Sequence, residues 1–254
     1  SMASSGKEAF ADSQEIPVRR STVVLLLALL APPASAASFC ADSAGAIQAA
    51  FAAAAANGED DVVRIVGGSY ALSTTLAYVS NEAHAITITG GYSAGCSAFA
   101  FADTTLDGQH LVTPLYVGSA NGAITINWLT FVGGYSADNT AGGLIAASDA
   151  GAITIVFDKF LGNRSAGSGG PVGHAGGLHV SAGIGGAKVC DNLFVGNRGT
   201  DAGGAIVSQA GGESRLVGNT IVANSGDTLD EPGGLFVGGS GHFVLSDNII
   251  WNNA

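Results

Sequence analysis

Charge is scarce in this chain of 254 residues: Asp, Glu, Lys and Arg make up 11% of it, and only 9 residues are Lys or Arg. Nine scattered bases cannot form the cationic stripe that holds a polyphosphate, and the net charge of −11 opposes one. No nucleic acid partner is expected, and anionic membrane surfaces are disfavoured for the same reason. An acidic surface is also a poor general trap for acidic polysaccharides. Low charge does not mean disorder here. Disordered chains combine high charge with low hydrophobicity, whereas 47% of these residues are apolar.

Cofactor and nucleophile motifs are also missing. No Gly-rich stretch runs on into Gly-Lys-Ser/Thr or a strand–helix dinucleotide unit, so no nucleotide or other cofactor is expected. Gly167-Ser168-Gly169 is loop composition rather than a nucleophile elbow. His174 and His179 have tolerable spacing for a metal but lack a third ligand, and His84, His110 and His242 stand alone. Beyond the leader, no segment has the ~20 apolar residues that cross a bilayer. No catalytic residue is assigned.

The leader itself reads as an export signal. Arg19 and Arg20 precede the apolar run Val23 to Ala31, then Pro32-Pro33 and the small-x-small sequence Ala34-Ser35-Ala36. Residues 1–36 are therefore expected to be removed. They carry three acids and three bases, so the net charge would stay at −11. Export implies an oxidising destination in which disulfides persist. Of three cysteines, Cys40 and Cys96 are expected to pair, and Cys190, in Lys188-Val189-Cys190, is expected to be a small buried hydrophobe.

What the chain has in abundance is glycine, 39 residues, and a phrase that returns five times. It reads Leu129-Thr130-Phe131-Val132-Gly133-Gly134, then Asp158-Lys159-Phe160-Leu161-Gly162-Asn163. It returns at Asn192–Asn197, at Asn219–Asn224 and at Asn248–Asn253. Its apolar centre falls on Phe131, Phe160, Phe194, Ile221 and Ile250, at steps of 29, 34, 27 and 29 residues. A period of this size marks a repeat architecture. Short strands such as Ile86–Thr89, Ile124–Ile126 and Ile153–Ile155 precede the phrase, and no helical segment separates them.

Gly142-Gly143, Gly176-Gly177, Gly203-Gly204 and Gly233-Gly234 follow it at variable distance. The longest of these insertions, Ser165 to Ala175, is expected to bulge outward. A constant core with one variable segment per repeat is the pattern of a solenoid. Strands of successive coils lie ~4.8 Å apart, so identical amides can donate one to the next as a ladder. Two ranks are expected. One is Asn163, Asn197, Asn224 and Asn253, with Gly134 as a missing rung. The other is Asn192, Asn219 and Asn248, with Asp158 and Leu129 substituting.

Near the start, Ile47, Ala50, Phe51 and Ala54 share a helical face after Asp42 or Ser43 as N-cap, and Asn57-Gly58 makes a stop. The first strand is expected at Val62 to Val66. The predicted organisation is a leader over 1–36, a capping helix over 37–61, and one all-β solenoid over 62–254. The chain stops inside a repeat phrase, so a C-terminal truncation is expected.

On the Asn-x-Phe-x-x-Asn phrase and the glycine pairs, the chain resembles the bacterial right-handed parallel β-helix repeat proteins. Gly90-Gly91-Tyr92-Ser93-Ala94-Gly95-Cys96 and Thr105-Leu106-Asp107-Gly108 extend that resemblance. It implies a single right-handed parallel β-helix, in keeping with the general hand of parallel crossovers. The family includes pectin-active enzymes, adhesins and autotransporter passengers, so function does not follow from fold.

The hydrolase branch implies Asn-Thr-Asp, Gly-His-Gly and Arg-Ile-Lys signatures. Here Gly241-His242 runs into Phe243, and the first and last are absent. The lyase branch implies an acid cluster beside an Arg or Lys. Arg164 and Arg198 share a register with Asp201 close by, and together they form a candidate carboxylate grip. Asp191 and Asp247 share a column two coils apart, roughly 9.6 Å at strand spacing, near the separation of an inverting acid pair. Tyr92, Tyr135 and Trp251 are candidates for stacking on sugars. The expectation is an exported or surface protein without catalysis that presents one face to a polysaccharide or cell-surface ligand. The alternatives are a carbohydrate-active enzyme and a structural stalk.

Overall fold

The structure is a computed structural model, and it describes residues 36–137, 141–167, 174–227 and 232–254. The leader lies outside these residues, apart from Ala36, as does the middle of the Ser165–Ala175 insertion.

The chain winds as a parallel β-helix. Strands pair with their counterparts one coil away, so three sheets follow the stack of coils, and a fourth, of four strands, joins them from Tyr135–Ser136 to Ser225–Gly226. Sheet 1 stacks eight parallel strands, among them Ile124–Asn127, Ile153–Val156 and Ala187–Cys190. Sheet 2 is built from the repeat phrase, as in Thr130–Val132, Lys159–Leu161 and Leu193–Val195. Sheet 3 has two-residue strands such as Arg164–Ser165 and Arg198–Gly199. Sheet 4 follows the glycine pairs, as in Leu144–Ser148 and Leu178–Ala182.

The period of the sequence becomes a register in space. Phe131 pairs with Phe160, Phe160 with Phe194, and Phe194 with Ile221, which pairs with Ile250. Residues alternate inward and outward along each strand, as Ile153 and Ile155 are buried while Thr154 is not. The inward columns form one continuous core from the helix to Ile221. A second, small core lies outside sheet 4. There Ala141, Ala175 and Ala202 bridge to one another and pack on Ile145 and Ile206.

Sheet 1 begins one strand earlier than the sequence suggested. Ala37–Ala41 precedes the helix and pairs in parallel with Asp61–Val66. The Cys40–Cys96 disulfide ties this end strand down. The helix spans Ala44–Ala54, Ser43 is the N-cap, and Ile47, Ala50, Phe51 and Ala54 face the core. It also covers an open edge. The Gln48 amide donates to the Ala77 carbonyl at 3.0 Å and accepts from the Ala77 N–H at 2.9 Å, filling the place of a missing strand beside Leu76–Ser80.

Two bends per coil repeat one device. The residue just before each ladder position takes the left-handed conformation. In the bend between sheets 1 and 2 these are Trp128, Phe157, Asp191, Gly218 and Asp247. In the next bend they are Gly133, Gly162, Gly196, Ala223 and Asn252. The ladder asparagines themselves do not take it. They turn inward instead, and both expected ladders form. In the second bend Asn163 donates to Asn197, Asn197 to Asn224, and Asn224 to Asn253, at 2.9–3.0 Å. The glycine pairs serve close approach. A Cβ on Gly176 would stand 2.3 Å from the Gly203 carbonyl oxygen, and one on Gly177 would press on the Asn197 amide at 3.3 Å.

Candidate functional site

The five residues singled out from the sequence lie in two separate places. Arg164 and Arg198 are register partners in sheet 3, both exposed, with Tyr135 one coil before them. Arg198 is engaged by the Asp227 carboxylate. Asp201 is turned away from both. Its Oδ2 accepts from the His174 N–H and lies 3.1 Å from His174 Nδ1, so it holds a buried histidine in place. Asp191 and Asp247 stand at the opposite end of sheet 2, in the bend that follows sheet 1, both exposed and separated by Gly218. A three-residue strand, roughly 10 Å long, lies between the acids and the arginines. The structure does not bring them together as one site. Among the described residues no group of three His, Cys, Asp or Glu side chains could hold a metal ion.

The same bend carries a feature the sequence did not point to. In the coils just before Asp191, its position is filled by Phe157 and Trp128, and Phe101 stands one coil earlier. All three take the left-handed conformation, with φ of 61°, 58° and 52°. For bulky side chains this is an outlier that costs on the order of 1–2 kcal/mol each. Glycine fills the equivalent position at Gly218, so the bend itself does not require a ring.

The rings form a ledge. Phe101 and Trp128 meet edge to face with centroids 5.5 Å apart, and Trp128 and Phe157 lie 4.9 Å apart with planes tilted by 32°. Phe99 backs the ledge, 5.3 Å from Trp128, and Tyr92 backs Phe99. The backing exists because Phe99–Ala102 hooks antiparallel onto the sheet 1 strand Ile86–Tyr92. Exposure is high for aromatics: 72% for Phe101 and 45% for Phe157, with Trp128 half-buried.

Beside the rings runs a cleft lined by Asp103, Thr104, Thr130 and Lys159. The Lys159 ammonium donates to Asp103 at 3.4 Å across it. Chemically the site offers apolar ring faces, a hydroxyl and one ion pair. It contains no nucleophile–base pair and no cation cluster.

Of the three aromatics marked in the sequence, Tyr92 belongs to this assembly. Tyr135 stands in the arginine column, and Trp251 is 70% exposed in the last sheet 2 strand. Phe101, Trp128 and Phe157 were missed because they come from different local contexts and share no repeated letter. For Trp128 and Phe157 the available signal was an aromatic immediately after a strand, in the place where other coils put Gly or Asp. No helix among the described residues is long and apolar enough to cross a membrane. No family model, no curated protein and no solved structure matches the chain.

Proposed function

We propose that this is an exported, non-catalytic β-helix protein that holds a glycan on the ledge of Phe101, Trp128 and Phe157. The observation that carries this reading is three solvent-facing rings kept in a conformation that glycine could adopt without strain. Backbone strain of this kind clusters at ligand clamps and active sites. Ring faces presented to solvent stack on the apolar faces of sugars, and Thr130, Lys159 and Asp103 supply polar contacts at the rim.

The charge of the surroundings selects the ligand. The chain carries a net charge of −11, and Asp191 follows the rings along the same bend. Neutral polysaccharides therefore fit this face better than polyuronates. The export signal read in residues 1–36 would bring the ledge to an extracellular surface.

Affinity electrophoresis in gels cast with neutral or uronic polysaccharides tests the proposal. Retardation by a neutral glycan that is lost in Trp128→Ala supports it, and equal mobility in every gel rejects it. The competing enzymatic reading rests on Asp191 and Asp247, two acids in one column beside the ledge. New reducing or unsaturated ends released from the retarding glycan would establish that reading instead.

A further inference from the structure

The ladder beneath the ledge has one rung that is an acid instead of an amide. Asp158 occupies the position that Asn192, Asn219 and Asn248 fill in later coils, and it is 1% exposed. Between asparagines of this ladder the pattern is constant. The backbone N–H and the side-chain Nδ2 of one rung both donate to the Oδ1 of the next, as from Asn192 to Asn219 and from Asn219 to Asn248. Each Nδ2 also donates to a sheet 1 carbonyl of the preceding coil: Asn192 to Ile155, Asn219 to Val189 and Asn248 to Leu216.

Asp158 keeps the half of this pattern that needs no side-chain donor. Its N–H donates to Asn192 Oδ1 at 2.9 Å, and its Oδ1 accepts from the Leu129 N–H at 2.8 Å. Its Oδ2 takes the place of the amide nitrogen and has no hydrogen-bond partner. At the two places where a ladder amide would donate, it meets acceptors: Asn192 Oδ1 and, by the same register, the Ile126 carbonyl. A carboxylate there would set oxygen against oxygen in a buried site.

We infer that Asp158 is a neutral carboxylic acid in the folded protein, that its proton serves as the ladder donor between Asp158 and Asn192, and that raising the pH removes it and loosens the coil carrying Phe157 and Lys159. Burial holds this carboxyl well above the usual carboxylate range, opposed less strongly by the amides of Leu129 and Val156. The surrounding elements supply no compensating cation. Lys159, next in the chain, is directed outward to Asp103, and Lys188 on sheet 1 is exposed. Asp191 in the next coil is an exposed acid and no cation. Burial pushes the Cys190 thiol up and keeps it neutral, and the preceding coil presents the uncharged Asn127, Trp128 and Leu129.

The direction of the pH effect follows from linkage. The unfolded chain releases this proton near pH ~4, and the folded chain retains it to higher pH. The contribution of the rung is therefore complete below that value and declines as pH rises through the folded value. Phe157 and Lys159, which flank Asp158, both line the cleft beside Trp128, so the loss reaches the ledge.

The inference does not depend on glycan binding, and its test needs no ligand. Infrared difference spectra of the protein and of Asp158→Asn at neutral pH should show a protonated-carboxyl stretch present only in the former. Absence of that band overturns the inference. The Asn variant restores both donors, so its Tm should exceed that of the parent by a margin that grows from acidic to alkaline pH. A margin independent of pH also overturns it. In a Trp251→Phe background the emission of Trp128 should shift across the same pH range, and the shift should vanish when Asp158→Asn is added. An unchanged emission refutes the link to the ledge.

Discussion

The rings of Phe160 and Phe194 lie 4.6 Å apart and within 4° of parallel. Phe131 continues the pile at 5.0 Å from Phe160. Thirty-four residues of chain separate the first two, yet the strand spacing of a parallel sheet places them in contact. Truncating the middle ring strips the packing from both of its faces and leaves a cavity in a closed core. Phe160→Ala should cost about 3–5 kcal/mol. Phe160→Leu should cost much less, because Leu106 already occupies this column. Denaturant midpoints of the two variants check both values.

Asn197 uses its whole side chain. Its Oδ1 accepts from the N–H and Nδ2 of Asn163, and its Nδ2 donates to Phe160 O and Asn224 Oδ1. Asn197→Ala orphans these buried groups together, at a cost of about 4 kcal/mol. Asn253→Ala, at a half-buried rung of the same ladder, should cost about 1 kcal/mol because water reaches the groups it leaves behind. Chemical denaturation compares them, and hydrogen exchange should show faster opening at Asn163 only in the first variant.

Gly218 marks what the ledge position needs for folding. Trp128→Gly and Phe157→Gly should each relieve left-handed strain worth about 1 kcal/mol, offset in part by the ring–ring packing that each side chain supplies. Both should weaken retention by a neutral polysaccharide while leaving the fold at least as stable. Thermal melts and affinity electrophoresis on the same preparations read the two effects. Parallel loss of stability and retention would assign the rings a structural role.

Cys40 and Cys96 close a loop with a sequence separation of 56. Replacing both by Ser should lower stability by about 4 kcal/mol in the chain-entropy account. The strand Ala37–Ala41 should open first, since it lies at the end of sheet 1 and has a partner on one side only. Exchange at Val62 and Val63 relative to Ile155 measures that local opening.

The core and the ladders were legible because a solenoid turns a sequence period into contact. Any residue type repeated at the coil length meets itself, so Phe160 over Phe194 and Asn197 over Asn224 could be read directly. The ledge could not be read that way. Its bend position runs Trp128, Phe157, Asp191, Gly218, Asp247, a column held together by backbone conformation and by no shared side-chain chemistry. Phe101 reaches the ledge only through the antiparallel hook of Phe99–Ala102. The strand Ala37–Ala41 was also hidden, because Ser38-Phe39-Cys40 has no β-branched alternation of its own. Its pairing with Asp61–Val66 and the disulfide define it.

By itself the sequence determined the winding of this protein. The spacing of its aromatic, amide and glycine positions allows each class to be buried against its own kind, and a stack of parallel coils does so for all three at once. The tertiary structure alone decided where exposed rings gather, and which buried carboxyl lacks a partner for one oxygen. Both depend on what lies one coil away, where Trp128 stands beside Phe157 and where Asp158 faces the oxygen of Asn192 instead of a donor.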